Sequence, residues 1–193
     1  MDRLEILVEE PSIKEVLAVV LPQILPQGWV YEENWFIREH NGKSDLRRSI
    51  PIKFRAFSQS SQNVGILIVQ DQDANDCVKL KQELVKLCQR NNTKPCPYLV
   101  RIVCHELEAW YFGDPDAVEQ VFGHKFKADA YRNKSICRKP DDVITPKKRL
   151  KSIVGDYPQV ATAKEIGIHM DVDSNSSESF KQLKRGILSL IEQ

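Results

Sequence analysis

Val64-Gly65-Ile66-Leu67-Ile68-Val69-Gln70-Asp71-Gln72-Asp73 is the stretch on which the fold turns. Its apolar run does not alternate, so both faces must be covered, which is the pattern of a strand inside a parallel sheet. Residues 75–90 follow as an amphipathic helix, with Val78, Leu80, Leu84, Leu87 and Cys88 on a broad apolar face. Pro95 and Pro97 close that connection, and residues 98–104 form another apolar strand that runs into His105-Glu106-Leu107-Glu108-Ala109-Trp110. Upstream, Leu4-Glu5-Ile6-Leu7-Val8 is a short strand stopped by Glu9-Glu10-Pro11-Ser12. Ser12 is placed to cap a helix over residues 13–20, which Pro22 and Pro26 interrupt. Residues 29–38, aromatic and β-branched after Gly28, predict a further strand. Asn41-Gly42 supplies a turn, and a helix from Ser44 is expected to break or kink at Pro51 before the polar loop 58–63.

Strands alternating with helices predict βαβ units and an open, mostly parallel α/β sheet flanked by helices. Beyond Gly113 the pattern is helical, ending in the stripe Phe180, Leu183, Ile187, Leu188 and Ile191. The expected organisation is therefore an α/β core over residues 1–112 and a basic helical extension over 113–193, packed on it as one structural domain.

Composition sets the class. The 193 residues are 41% hydrophobic and 28% charged, which is globular and excludes disordered, collagenous and membrane chains. No run approaches the roughly 20 apolar residues of a membrane helix, and Met1-Asp2-Arg3-Leu4-Glu5 lacks the basic start of a signal peptide. The odd set Cys77, Cys88, Cys96, Cys104 and Cys137 contains no C-x-x-C pair, so neither a disulfide framework nor a zinc ribbon is signalled, and a reducing cytoplasm is the simplest compartment. Net charge is +1, yet residues 125–151 hold ten bases against three acids. Such a block is either a solvated face or a polyanion footprint.

Three apolar strands each end in carboxylates: Glu9-Glu10, Asp71-Gln72-Asp73 and Glu106-Leu107-Glu108. Any one of these acids alone reads as the first polar residue after a buried strand, or as a helix cap. Their recurrence favours a common site, because open α/β sheets bind ligands outside the carboxyl ends of their strands. Gathered carboxylates require a hard cation, Mg2+ first and Mn2+ second. Asp71 and Asp73 are the strongest of the set, and Glu10 reads as a solvated bystander that favours a helix dipole.

With these residues in view, the chain resembles an uncharacterised bacterial TOPRIM-like domain-of-unknown-function family. The resemblance rests on Val8-Glu9-Glu10-Pro11-Ser12, Gly42-Lys43-Ser44-Asp45-Leu46, Asp71-Gln72-Asp73, Glu106-Leu107-Glu108-Ala109-Trp110 and His169-Met170-Asp171. It implies a TOPRIM-like sheet with Mg2+ at its carboxyl edge, Glu9 near the reacting phosphate, Asp71 and Asp73 as metal ligands, and a third-strand acid, Glu108, with Glu106 in reserve. It further implies a nuclease acting on RNA or DNA, and a neighbouring ABC- or AAA-type ATPase in defence against phage. The usual TOPRIM glycine after the glutamate is replaced by Glu10. Lys43, Arg47, Arg48, Lys147, Lys148 and Arg149 are expected to neutralise flanking phosphates. His169 and Asp171 read as structural.

Competing motifs are weaker. Gly42-Lys43-Ser44 lacks the earlier glycine of a P-loop, since Ile37 stands there. Asp71-x-Asp73-x-Asn75 and Asp171-x-Asp173-x-Asn175 lack the glycine and glutamate of a calcium loop. A haloacid-dehalogenase-type phosphatase would use Asp71-x-Asp73 with Lys139 and Asp141-Asp142, but its aspartates belong after the first strand. Two alternatives to the nuclease stand: a non-catalytic metal-binding subunit that docks an ATPase, and a phosphomonoesterase. Oligomeric state is left open.

Overall fold

A computed structural model describes residues 1–94 and 96–193, so the turn expected at Pro95 lies outside the described residues. The chain runs β1 (Arg3–Val8), α1 (Pro11–Ile24), β2 (Trp35–Glu39), α2 (Lys43–Phe57), β3 (Val64–Asp71), α3 (Cys77–Asn91) and β4 (Tyr98–Val103). The helical remainder comprises α4 (Glu108–Phe112), α5 (Pro115–Phe122), α6 (Ala128–Tyr131), α7 (Ser135–Arg138), α8 (Pro146–Val154), α9 (Gln159–His169) and α10 (Glu178–Ile191). The described strands form one sheet in the order β2-β1-β3-β4, every pairing parallel. β3 is buried along its whole length, as its unalternating run requires.

Alternate side chains of the central strands feed two cores. Leu4, Ile6, Val8, Leu67 and Val69 join α1, α9 and α10 on one face. Leu7, Ile66 and Ile68 meet Leu46, Ile50 and Phe54 of α2 and Leu80, Leu84 and Cys88 of α3 on the other. The first core also takes in Phe126, Leu150 and Ile187, so residues of the extension pack directly on the sheet. Glu5, fully buried in β1, is held by ion pairs from Arg3 and Arg38, whose guanidinium groups both lie over the Phe36 ring.

Several boundaries differ from the sequence pattern. α1 begins at Pro11 with Glu10 as N-cap and continues through Pro22. The early start suits a proline, whose missing N–H is not needed at the first turn. Continuation costs one backbone hydrogen bond, which burial of Val16, Leu17, Val20, Leu21 and Ile24 offsets. α2 likewise passes through Pro51 unbroken. The expected strand over 29–38 shrinks to Trp35–Glu39, because Asn34 bonds Gly28 and Val30 and curls the preceding segment into a turn. Val78 is exposed rather than on the packed face of α3. No described helix is long and apolar enough to cross a membrane, and all five cysteines are free thiols.

Candidate metal centre at the carboxyl edge

The chain leaves β1 through α1 on one face of the sheet and leaves β3 through α3 on the other. The two strands are neighbours, so their carboxyl ends flank the crevice of a topological switch point. Glu9 follows β1 there, and Asp71 ends β3. The Asp71 backbone N–H donates to Glu9 Oε2 at 3.2 Å, joining the two ends. Glu108 arrives from the next strand at the start of α4.

These carboxylates are taken out of water. Glu9, Asp71 and Glu108 are 9%, 5% and 3% exposed. Asp71 Oδ1 and Glu108 Oε2 are buried without a hydrogen-bond partner. Leaving such a group unmet costs about 1–3 kcal/mol, and more when it is charged. Burial pushes the Glu9 carboxyl up to about 7, with Lys43 opposing and Asp73 and Glu10 adding to the rise. Burial also holds Asp71 well above the ordinary carboxylate range, reinforced by Glu10, Glu9, Glu108 and Asp73. Glu108 is raised by burial despite the hydroxyl of Tyr157, which donates to its Oε1 at 2.7 Å. Without a counter-ion this edge resists carrying its full negative charge.

Two loops set the rim. Asp73 and His105 both adopt left-handed backbone, at φ 50° and 57°. Asp73 N–H donates to the His105 carbonyl at 2.7 Å, and Gln72 N–H to that of Val103 at 3.0 Å, so the loops after β3 and β4 are stitched together. Non-glycine residues in this region carry a local cost and cluster at working sites. On the other side, Gly42 at φ 83° donates its N–H to the Glu9 carbonyl at 3.0 Å. That contact sets Lys43, the first residue of α2, against Asp73 in an ion pair of 2.5 Å.

The donor set is of the oxygen type that hard divalent cations take. It offers carboxylate oxygens, two of them orphaned in the interior, and protonation states that a cation would reverse. Among the described residues no group of three or more His, Cys, Asp or Glu side chains is arranged so that it could hold a metal ion as it stands.

The structure thus brings Glu9, Asp71, Asp73 and Glu108 to one edge, with Lys43 against Asp73 and Glu106 lining a cavity beside it. Glu106 accepts the Lys147 backbone N–H at 3.0 Å, at the first turn of α8. Lys147 was expected beside flanking phosphates, but its half-buried amine lies among acids. Burial opposes its charge, while Glu108, Glu10, Glu106 and Asp71 more than restore it and raise its pKa. Lys148 and Arg149 are exposed on α8. Arg47 pairs with Glu83 at 2.9 Å and, with Arg48, lines a groove of about 510 Å³ between α2 and α3. Glu10 is not a bystander. Half-buried, it accepts from the Ser12 hydroxyl and is the first charge acting on Asp71.

Tyr157 was invisible to pattern reading, since a lone tyrosine in a polar loop carries no signal. His40 was missed as well: buried, it bonds the Val8 carbonyl at 2.9 Å and Ser49 at 2.7 Å, tying β1 to α2. Asp171 accepts N–H groups of Asp173 and Ser174, a turn of its own. The Asp141 carboxylate accepts from the Ser177 hydroxyl and the Ser179 N–H at the head of α10.

The family described as Domain of unknown function (DUF4276) matches residues 8–187. Among solved structures, the chain is similar to the C-terminal region of the Burkholderia pseudomallei OLD protein. The likeness has a TM-score of 0.56 at 11% identity, over 97% of this chain and 99% of that one. At that identity it shows the fold alone, the expected open parallel α/β sheet with helices on both faces. No curated protein matches.

Proposed function

We propose, for a chain that belongs to the DUF4276 family, that it is a Mg2+- or Mn2+-dependent nuclease cleaving a phosphodiester at the β1/β3 crevice. The carrying observation is the convergence of Glu9, Asp71 and Glu108, with orphaned oxygens on the last two. Structural stability gives no reason to bury acids of one sign together, whereas cation binding does.

Asp71 and Glu108 would hold the ion, with Asp73 and Glu10 beside them. A bound divalent cation would supply Lewis acidity and charge neutralisation at the phosphoryl group. Tyr157 engages one oxygen of Glu108 and leaves the other free, which orients the carboxylate. Glu9, raised to about 7, can hold or release a proton near neutrality, as proton transfer to or from water requires. Lys43 can leave Asp73 for a phosphate oxygen when substrate arrives. An ABC- or AAA-type ATPase partner and a role in phage defence belong to this reading through the family resemblance.

The test is incubation of the purified protein with RNA and DNA in Mg2+ or Mn2+, beside Asp71→Ala. Cleavage by the parent and none by a folded variant is expected; equal cleavage by both removes the assignment. Metal binding without cleavage, even with a co-purifying ATPase present, would instead mark a non-catalytic subunit.

A further inference from the structure

The basic block 125–151 is not one surface. Lys127 pairs with Glu119 at 2.9 Å, Arg132 with Asp116 at 2.7 Å and Lys151 with Asp156 at 3.0 Å, so each is partly neutralised by a neighbour. Lys147 turns inward among the acids. Of the six bases that remain, three gather at one place. Lys134, Lys139 and Arg149, all exposed, line one cavity of about 660 Å³ with a single acid, Asp142. Sequence separation hides this set, which α7, the turn after it and α8 bring together.

The position of that cavity gives it meaning. A second cavity of about 460 Å³ is lined by Asp73 and Glu106 at the rim of the metal centre, and both cavities share Ile144 and Thr145. Ile144 stands 76% exposed on the ridge between them. The surface therefore passes from clustered carboxylates, over an apolar ridge, into a basic hollow. A phosphodiester polymer has the matching sequence of groups: a reacting phosphate, an apolar base face and the next phosphates along the chain.

We infer that the hollow of Lys134, Lys139 and Arg149 is a subsite for the nucleotides flanking the scissile phosphate, with Ile144 pressed against a base. The inference rests on the nuclease reading and sharpens it: the substrate is a polymer entered along one side of the centre, not a phosphomonoester. Lys134 is already steadied over the Tyr131 ring at 4.4 Å, which leaves its N–H donors free for phosphate. The opposing candidate is the α2/α3 groove with Arg48, Lys86 and Arg90.

Binding of fluorescent single-stranded RNA and DNA oligonucleotides, measured by anisotropy in EDTA across 50–200 mM salt, separates the two surfaces. Removing three phosphate contacts should lower the log–log salt slope by about 2. That drop is expected for Lys134→Ala/Lys139→Ala/Arg149→Ala, with unchanged melting temperature, and not for Arg48→Ala/Lys86→Ala/Arg90→Ala. Ile144→Ala should weaken binding about 3-fold without changing the slope, since it removes apolar contact with a base and no charge. A slope that moves only with the α2/α3 variant, or no oligonucleotide binding by the parent, overturns the subsite. Slope loss at the hollow in a protein that never cleaves with Mn2+ supports the subsite and removes the nuclease. Cleavage by the hollow variant with parental binding and rate removes the subsite alone.

Discussion

Glu9→Gln should stabilise the metal-free protein at alkaline pH. In the folded chain burial raises this carboxyl from 4.5 to about 7, a difference of about 3 kcal/mol between its two protonation states. Because the folded value lies above the unfolded one, the neutral form favours folding. That contribution is fully present below about pH 4.5 and is lost as pH rises toward 7. At pH 8 the parent bears the whole penalty. Glutamine bears none, and its amide oxygen can still accept from the Asp71 N–H now bonded at 3.2 Å. At about 2–4 °C per kcal/mol for a domain of this size, the variant should melt about 6–12 °C higher at pH 8, and at nearly the parent's temperature at pH 4. Circular-dichroism melts in EDTA from pH 4 to 8 measure this. A difference that stays flat with pH, or a less stable variant at pH 8, refutes the burial argument.

Mn2+ should raise the parent's melting temperature at pH 8, by about 5–10 °C at a hundredfold excess over its dissociation constant, with proton release seen in calorimetry. Asp71→Asn should erase that shift; a variant that keeps it would place the ion elsewhere. Tyr157→Phe should preserve the fold yet lower cleavage and Mn2+ affinity about 10- to 100-fold, because Glu108 loses the hydroxyl bonded at 2.7 Å. Parental titration curves would show that Tyr157 does not orient Glu108. Gly113→Ala should destabilise by about 1–3 kcal/mol, since its methyl group would strike the Asn175 side chain that bonds Trp110 and Ser177. An unchanged denaturation midpoint would contradict that packing.

Much of the site could be read before folding was considered. Glu9, Asp71 and Glu108 each lie at or beyond the end of a largely apolar strand, and strand ends in a parallel sheet share one edge, so their meeting followed from local pattern plus topology. Other features depend on which surfaces touch. Pro22 and Pro51 broke the expected helices on paper, yet burial of one face carried α1 and α2 through them. Glu10 and Lys147 differ from their neighbours only in direction, and direction is set by α1 and α8 against the sheet. Tyr157 reaches Glu108 across 49 residues, a distance no sequence pattern spans.

By itself the sequence determined the parallel α/β class, the extended helical third and the three acidic strand ends, because hydrophobic period and punctuation are local properties. Only the tertiary structure decided which carboxylates are buried without partners, which bases face the centre and which are spent on neighbouring acids. Those outcomes depend on desolvation and on contacts between distant segments, which exist only once the chain has folded.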